Sequence, residues 1–130
     1  MIVVDASAIV AILMDEPERA EFIRILSGAP AVLSPVGYWE AAVNMERHRG
    51  SEGLNDLTAL LALFSISLAP TTDLTAQGAV TAQRLFGKRT RAKLNLGDCF
   101  AYALAKELDA PLLFKGDDFT RTDVKSALPA

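Results

Sequence analysis

Short apolar runs alternate along this chain with longer amphipathic stretches, a pattern that predicts strands interleaved with helices. Ile2-Val3-Val4 is continuous and apolar until Asp5 halts it, as expected of a parallel strand buried on both faces. Ala6 to Met14 is apolar and alanine-rich, which favours a helix. Asp15 is placed to cap a second helix, with Pro17 in its first turn and Phe22, Ile23 and Leu26 as its apolar stripe. Glu16, Glu18 and Glu21 would lie toward the positive end of its dipole, and Ser27-Gly28 would end it. Ala31-Val32-Leu33 reads as a second strand. Ser34-Pro35 then opens a helix, serine as cap and proline as first helical residue, running to about Arg49 before Gly50 stops it. Leu54 to Phe64 predicts a further helix and Ser65 to Ala69 a strand closed by Pro70. Asp73 is the expected cap of a helix ending near Phe86-Gly87, and Asn95 the cap of one from about Leu96 to Leu108. Leu112-Leu113-Phe114 is the last strand, followed by the turn Gly116-Asp117-Asp118. Strands alternating with helices imply an α/β sandwich around a mainly parallel sheet, helices on both faces.

Composition narrows the class. The 130 residues are 51% hydrophobic and 22% charged with mean hydropathy +0.25, which excludes a disordered chain and fits one domain over residues 1–130. The single cysteine, Cys99, excludes a disulfide framework and a cysteine-based zinc cluster. No apolar run approaches the ~18 residues of a membrane span, and the first residues lack the basic region of a secretion signal. A cytoplasmic protein with no membrane partner is expected. The net charge is −3, yet no acid falls between Asp73 and Asp98, where Arg84, Lys88, Arg89, Arg91 and Lys93 all lie. That stretch carries +5 and the rest of the chain −8. A basic island on an acidic protein fits a nucleic-acid backbone better than the total charge does, although such runs are commonly no more than solvated loops.

The acids carry the chemistry. Asp5 follows the first strand, and Asp117 and Asp118 follow the last; in open parallel sheets ligands bind outside those carboxyl ends. Glu40, four residues after Val36 and three before Val43, shares its helical face with apolar positions, Asn44 lies one turn further on, and Trp39 beside it suggests an internal face. Asp98 falls in the first turn of its helix, three residues after Asn95. Each acid has a plainer reading. Asp5 and Asp118 would cap helices or turns, Glu40 would pair with Arg47, and Asp98 would be a capping-box acid. Convergence of all four on one crevice would call for a cation, because clustered carboxylates repel. Oxygen-only ligands point to Mg²⁺ or Mn²⁺. Zinc is disfavoured, since His48 is the only histidine and is expected at an exposed helix end beside Arg47 and Arg49.

Read together, these segments resemble a known family. Ile2 to Ala8 resembles the opening motif of PIN-domain ribonucleases, Ser34 to Glu40 the second, Leu94 to Ala105 the third and Leu112 to Phe119 the last. The strings Gly97-Asp98-Cys99-Phe100-Ala101-Tyr102-Ala103 and Phe114-Lys115-Gly116-Asp117-Asp118-Phe119 are similar to those of VapC toxins of bacterial toxin–antitoxin pairs. The resemblance implies a Mg²⁺-dependent endoribonuclease, acting on RNA and silenced by a VapB-type antitoxin. It carries Asp5, Glu40 and Asp98 onto the family's first three acids and Ser7 onto the hydroxyl that supports the first. For the fourth, Asp117 is favoured as nearer the strand end, leaving Asp118 to cap the turn. Asp5 and Asp98 would hold the metal chiefly, with Glu40 or Asp117 holding a second ion or acting as general base. Asn44 would support them, and Lys88, Arg89, Arg91 and Lys93 would clamp the RNA backbone at the rim. The family also implies a homodimer. The leucines at 54, 57, 60, 61 and 63 with Phe64 surround most of a helical wheel and offer an apolar surface for it, unless the helix is sandwiched within the fold.

Other classes fit less well. A haloacid-dehalogenase-type phosphatase wants Asp-x-Asp after the first strand, where Asp5-Ala6-Ser7 stands, and a receiver domain wants an acidic pair there. A PIN-fold module that only binds RNA would be expected to have lost acids, and all are present.

Overall fold

A computed structural model of the chain describes residues 1–129. Four parallel strands, β1 (Ile2–Val4), β2 (Ala31–Leu33), β3 (Ser67–Leu68) and β4 (Leu112–Leu113), form one sheet in the order β3-β2-β1-β4. Five helices surround it: α1 (Ala6–Leu13), α2 (Arg19–Leu26), α3 (Pro35–Leu63), α4 (Asp73–Phe86) and α5 (Leu96–Leu108). A 3₁₀ turn covers Asp118–Arg121.

The pleat of the short strands divides the core. Ile2 and Val4 point into a cluster with Ile9, Phe22, Leu33 and Leu57, under α1, α2 and α3. Val3 points the other way, to Leu94, Leu104, Leu112 and Phe119 under α4 and α5. Burial on both faces explains why β1 reads as an unbroken apolar run, and it makes the architecture the expected α/β/α sandwich. The open edge of β4 is covered by the tail: Leu112 N donates to Lys125 O (2.8 Å) and Ala127 N to Leu112 O (2.9 Å). Because all strands run one way, their carboxyl ends share one rim, where Asp5, Ser34 and Lys115 emerge.

The expected caps at Ser34 and Asn95 are present. The expected stop at Gly50 is a break within α3, where φ is +62° and ψ −145°, and helix resumes at once on the far side. Arg49 and Asp56 form an ion pair across that break.

Several local expectations are corrected. Asp15 does not cap α2; its backbone turns left-handed (φ +54°), and the helix begins at Arg19, after Pro17. Thr72 rather than Asp73 caps α4, because its hydroxyl exchanges hydrogen bonds with Thr75 in a reciprocal box. Trp39 is 64% exposed, so the inner face of α3 runs instead through Gly37, Ala41 and Met45. The leucine-rich stretch is split: Leu57 and Leu60 are buried, Leu54, Leu61 and Phe64 half-buried, and Leu63 is exposed. No helix among the described residues is long and apolar enough to cross a membrane.

Candidate active site

The carboxyl rim of the sheet opens into a cleft of about 490 Å³ lined by Asp5, Glu40, Asp98 and Asp118, with Ser7, Asn44 and Asn95 among them. Each acid arrives from a different element. Asp5 ends β1 and caps α1, accepting from Ser7 N (3.0 Å) and Ser7 Oγ (2.5 Å) through Oδ2. Ser7 Oγ accepts in turn from Lys115 N (3.0 Å), which ties the loop after β4 to the first acid. Asp98 is the acid of a capping box: Asn95 N donates to its Oδ2 (3.0 Å) and its own N–H to Asn95 Oδ1 (2.8 Å). The plain capping reading of Asp98 is therefore correct. It is also incomplete, because the same carboxylate lines the cleft.

Glu40 reaches across from α3 to the first turn of α5, where a Cβ on Gly97 would overlap its carboxylate. Glycine at 97 is what lets the two helices bring these acids together. The alternative pairing with Arg47 is not made, and Arg47 is exposed. Asn44, one turn beyond Glu40, lines the same cleft, and its Oδ1 is buried without a hydrogen-bond partner.

The two aspartates after β4 lie differently from the expectation. Asp118 lines the cleft, while Asp117 does not, and its backbone carbonyl accepts from Thr120. Gly116, at φ +93°, turns the chain sharply after β4, so the residue nearer the strand end is rotated away and the next one returns. Spacing alone does not report that rotation.

Burial and mutual repulsion hold these carboxyls toward their protonated forms. Asp5, only 5% exposed, is raised chiefly by desolvation, and its hydrogen bonds from Ser7 offset this in part. Asp98, 9% exposed, is raised to about 6 by burial and by the charges of Asp5 and Asp118. Glu40 is raised to about 7 by burial and then by Asp5 and Asp98. Like charges gathered in one cleft favour a bound cation. Among the described residues, no three acidic, histidine or cysteine side chains stand close enough to grip one ion unaided. A hard ion needs only one or two carboxylates and keeps several waters, and the unpartnered Asn44 oxygen is a ready acceptor for such a water. The donor set, oxygen only, fits Mg²⁺ or Mn²⁺.

Two residues at the cleft were not foreseen. Glu16 and Lys115 both line it, and Lys115 Nζ pairs with Glu16 (3.1 Å) and Glu18 (3.6 Å). Lys115, two residues after β4, was open to the same strand-end argument as the acids. Glu16 gave no signal, since its position depends on the left-handed turn at Asp15. The basic residues Lys88, Arg89, Arg91 and Lys93 are all exposed, and none forms an ion pair among the described residues. Lys88 is near enough for its charge to act on Asp98.

Comparison with known proteins identifies the family and the fold. Residues 2–125 match the PIN domain. The chain is 44% identical over 128 residues to a ribonuclease VapC of Mycolicibacterium smegmatis, covering 94% of this chain and 96% of that protein. It is 41% identical over 130 residues to ribonuclease VapC30 of Mycobacterium tuberculosis, covering 98% and 99%. Among solved structures, Mycobacterium tuberculosis VapC20, described as a sarcin-ricin loop cleaving toxin, superposes with a TM-score of 0.80 at 15% identity over 99% of this chain and all of that one. A chain of a toxin–antitoxin complex from Klebsiella pneumoniae gives 0.71 at 15% identity over 95% and 93%. At that identity the two structures speak for the fold.

Proposed function

This chain belongs to the PIN-domain family, and we propose that it is a VapC-type toxin: a divalent-metal-dependent endoribonuclease, restrained by a cognate antitoxin. The observation that carries the reading is the convergence of Asp5, Glu40, Asp98 and Asp118 on one cleft at the carboxyl rim of a parallel sheet.

Asp5 and Asp98 would hold Mg²⁺, or Mn²⁺ in its place, with Asp118 as the further acid. When bound, the ion supplies Lewis acidity, lowering the pKa of a water and offsetting charge on the attacked phosphate. The chain's own residues do the rest. Ser7 fixes the Asp5 carboxylate from below, and Asn95 fixes that of Asp98, so neither side chain must be ordered when substrate arrives. Glu40, raised to about 7, is suited to take a proton from the attacking water, because a base works best when its pKa lies near the working pH. Asn44 would orient that water. Lys88, Arg89, Arg91 and Lys93 would hold the RNA backbone beside the cleft. An antitoxin segment that covers the acids would silence the protein, and a homodimer in the cytoplasm is the expected setting.

The test is RNA cleavage by the purified protein with Mg²⁺ and again with excess EDTA. Cleavage that EDTA abolishes and that cognate antitoxin suppresses supports the reading. Binding without cleavage under any divalent ion would make the protein a PIN-fold module that only holds RNA.

A further inference from the structure

Beside the acidic cleft lies a second cavity of about 510 Å³, between α4 and the start of α5. Its walls are apolar: Ala76 and Ala79 on the α4 side, and Leu94, Leu96 and Phe100 on the other. Leu94 and Ala79 are buried, whereas Leu96 is 71% exposed and Phe100 half-buried. Leu96 stands clear of the core, whereas Phe100 packs against its edge.

The polar groups of this cavity sit at its edge. Gln83, Asn95 and Lys88 line it, and Gln83 makes no side-chain hydrogen bond among the described residues. Asn95 uses its Oδ1 to accept from Asp98 N, which leaves its amide N–H₂ free to donate. Asn95 also lines the acidic cleft, so the two cavities share a wall. Apolar walls, an aromatic ring, two amides and a cation in one cavity together describe a site for an unpaired base. Single-stranded RNA is recognised in this way, by stacking splayed bases on aromatic side chains and bonding their edges.

We propose that this cavity is a nucleobase subsite, taking one unpaired base of the RNA strand whose phosphodiester lies in the acidic cleft. The proposal rests on the ribonuclease reading for the position of that phosphate. Lys88 would meet the phosphate between the two cavities, the base would lie with Phe100 and Leu96 on one side and Ala76 and Ala79 on the other, and Gln83 and Asn95 would face its edge. Which base is preferred would then follow from the two amides, each of which offers a donor or an acceptor.

The experiment is fluorescence anisotropy with a short labelled single-stranded RNA in EDTA, so that binding is read without cleavage. The RNA is compared with versions carrying one abasic nucleotide at successive positions. For the unaltered protein, one position should cost about tenfold in affinity, within the range of a base stacked on an aromatic side chain. For Phe100→Ala and for Leu96→Ala the penalty at that position should fall below about twofold; Leu96 is exposed, so its truncation spares the core. A flat abasic profile in the unaltered protein, or a penalty unchanged in both variants, overturns the subsite. So does sedimentation showing that Leu96→Ala dissolves a dimer while the abasic profile stays, since the face would then join two copies of the chain. Cleavage with Mg²⁺ is scored separately: cleavage beside a flat profile removes the subsite alone, and an abasic penalty without cleavage removes the nuclease alone.

Discussion

Two aspartates lie against helix α5 in opposite electrostatic situations. Asp98, in its first turn, is buried among Asp5, Glu40 and Asp118, and its carboxyl is raised to about 6. Asp123, on the tail that packs along the same helix, is exposed and held below the ordinary carboxylate range, first by the Tyr102 hydroxyl and then by Lys106. The second charge is satisfied from within the chain, and it fastens the segment that covers the edge of β4. The first has only the Asn95 N–H and the charge of Lys88 to set against burial and its neighbouring carboxylates. Folding keeps it at a cost, and a cost retained in an accessible cleft marks a residue that acts on something from outside.

The largest consequence concerns activity. Asp98→Asn keeps an oxygen to accept from Asn95 N and relieves repulsion, so the fold should persist while RNA cleavage falls at least about a hundredfold, the lower bound for a group working in the chemical step. Asp5→Asn should behave alike. Asp123→Asn, matched in chemistry, should cleave within about twofold of the unaltered protein. Equal losses in Asp98→Asn and Asp123→Asn, measured under one set of conditions, would erase the distinction.

Next in size is the response to metal. A ligand bound only by the folded state stabilises it by mass action, about 2.7 kcal/mol at a hundredfold excess over Kd. Thermal unfolding with and without Mg²⁺ should show a rise of that order for the unaltered protein and for Asp123→Asn. Asp98→Asn should lose most of it. A melting temperature indifferent to millimolar Mg²⁺ and Mn²⁺ in every form would leave the cleft without its cation.

The pH profile separates the same two groups by window. Asp98 and Glu40 are raised on folding, from ordinary values of 3.8 and 4.5 to about 6 and about 7. Between those limits the folded state binds more protons than the unfolded one, so metal-free stability is greatest at the acid end and declines as pH rises from about 4 to 7. Asp123 is lowered, so its contribution is present above the ordinary aspartate value and fades only below it. The decline should be on the order of 1–2 kcal/mol, less than full conversion because Glu40 is half exposed. Urea midpoints at pH 5 and pH 7.5 in EDTA measure it, and Asp98→Asn should flatten the slope where Asp123→Asn should not.

What the sequence made legible divides along similar lines. Elements set by local pattern were readable: the apolar strands, the Ser34-Pro35 and Asn95 caps, the glycine stop at 50, and the meeting of Asp5, Glu40 and Asp98 at one cleft. Strand ends in a parallel sheet share one rim, so Asp5 and an acid after β4 were expected on the same side. The place of Asp118 in the cleft was not legible because the direction of the chain after Gly116 depends on a positive φ that spacing does not encode. Trp39 was misjudged because helical periodicity fixes relative faces and leaves open which face turns inward. The Asp123 contact was invisible, since Tyr102 and Asp123 meet only once the tail has docked.

The smallest effect tests the satisfied half of the comparison. Asp123→Ala leaves the buried Tyr102 hydroxyl without its acceptor and frees Lys106, whose pairing at 3.0 Å is between exposed groups. Loss of one neutral-to-charged hydrogen bond near the surface, plus an exposed ion pair, should cost about 1 kcal/mol. Lys106→Ala alone should cost a few tenths, since exposed pairs contribute little. The loss should be local: hydrogen exchange at the Leu112 amide, which donates to Lys125 O at the base of the tail, should quicken while amides of β1 stay protected. If Asp123→Ala instead lowers stability by more than about 3 kcal/mol, or slows cleavage in step with it, the tail is part of the site's support, and the two aspartates act on one function.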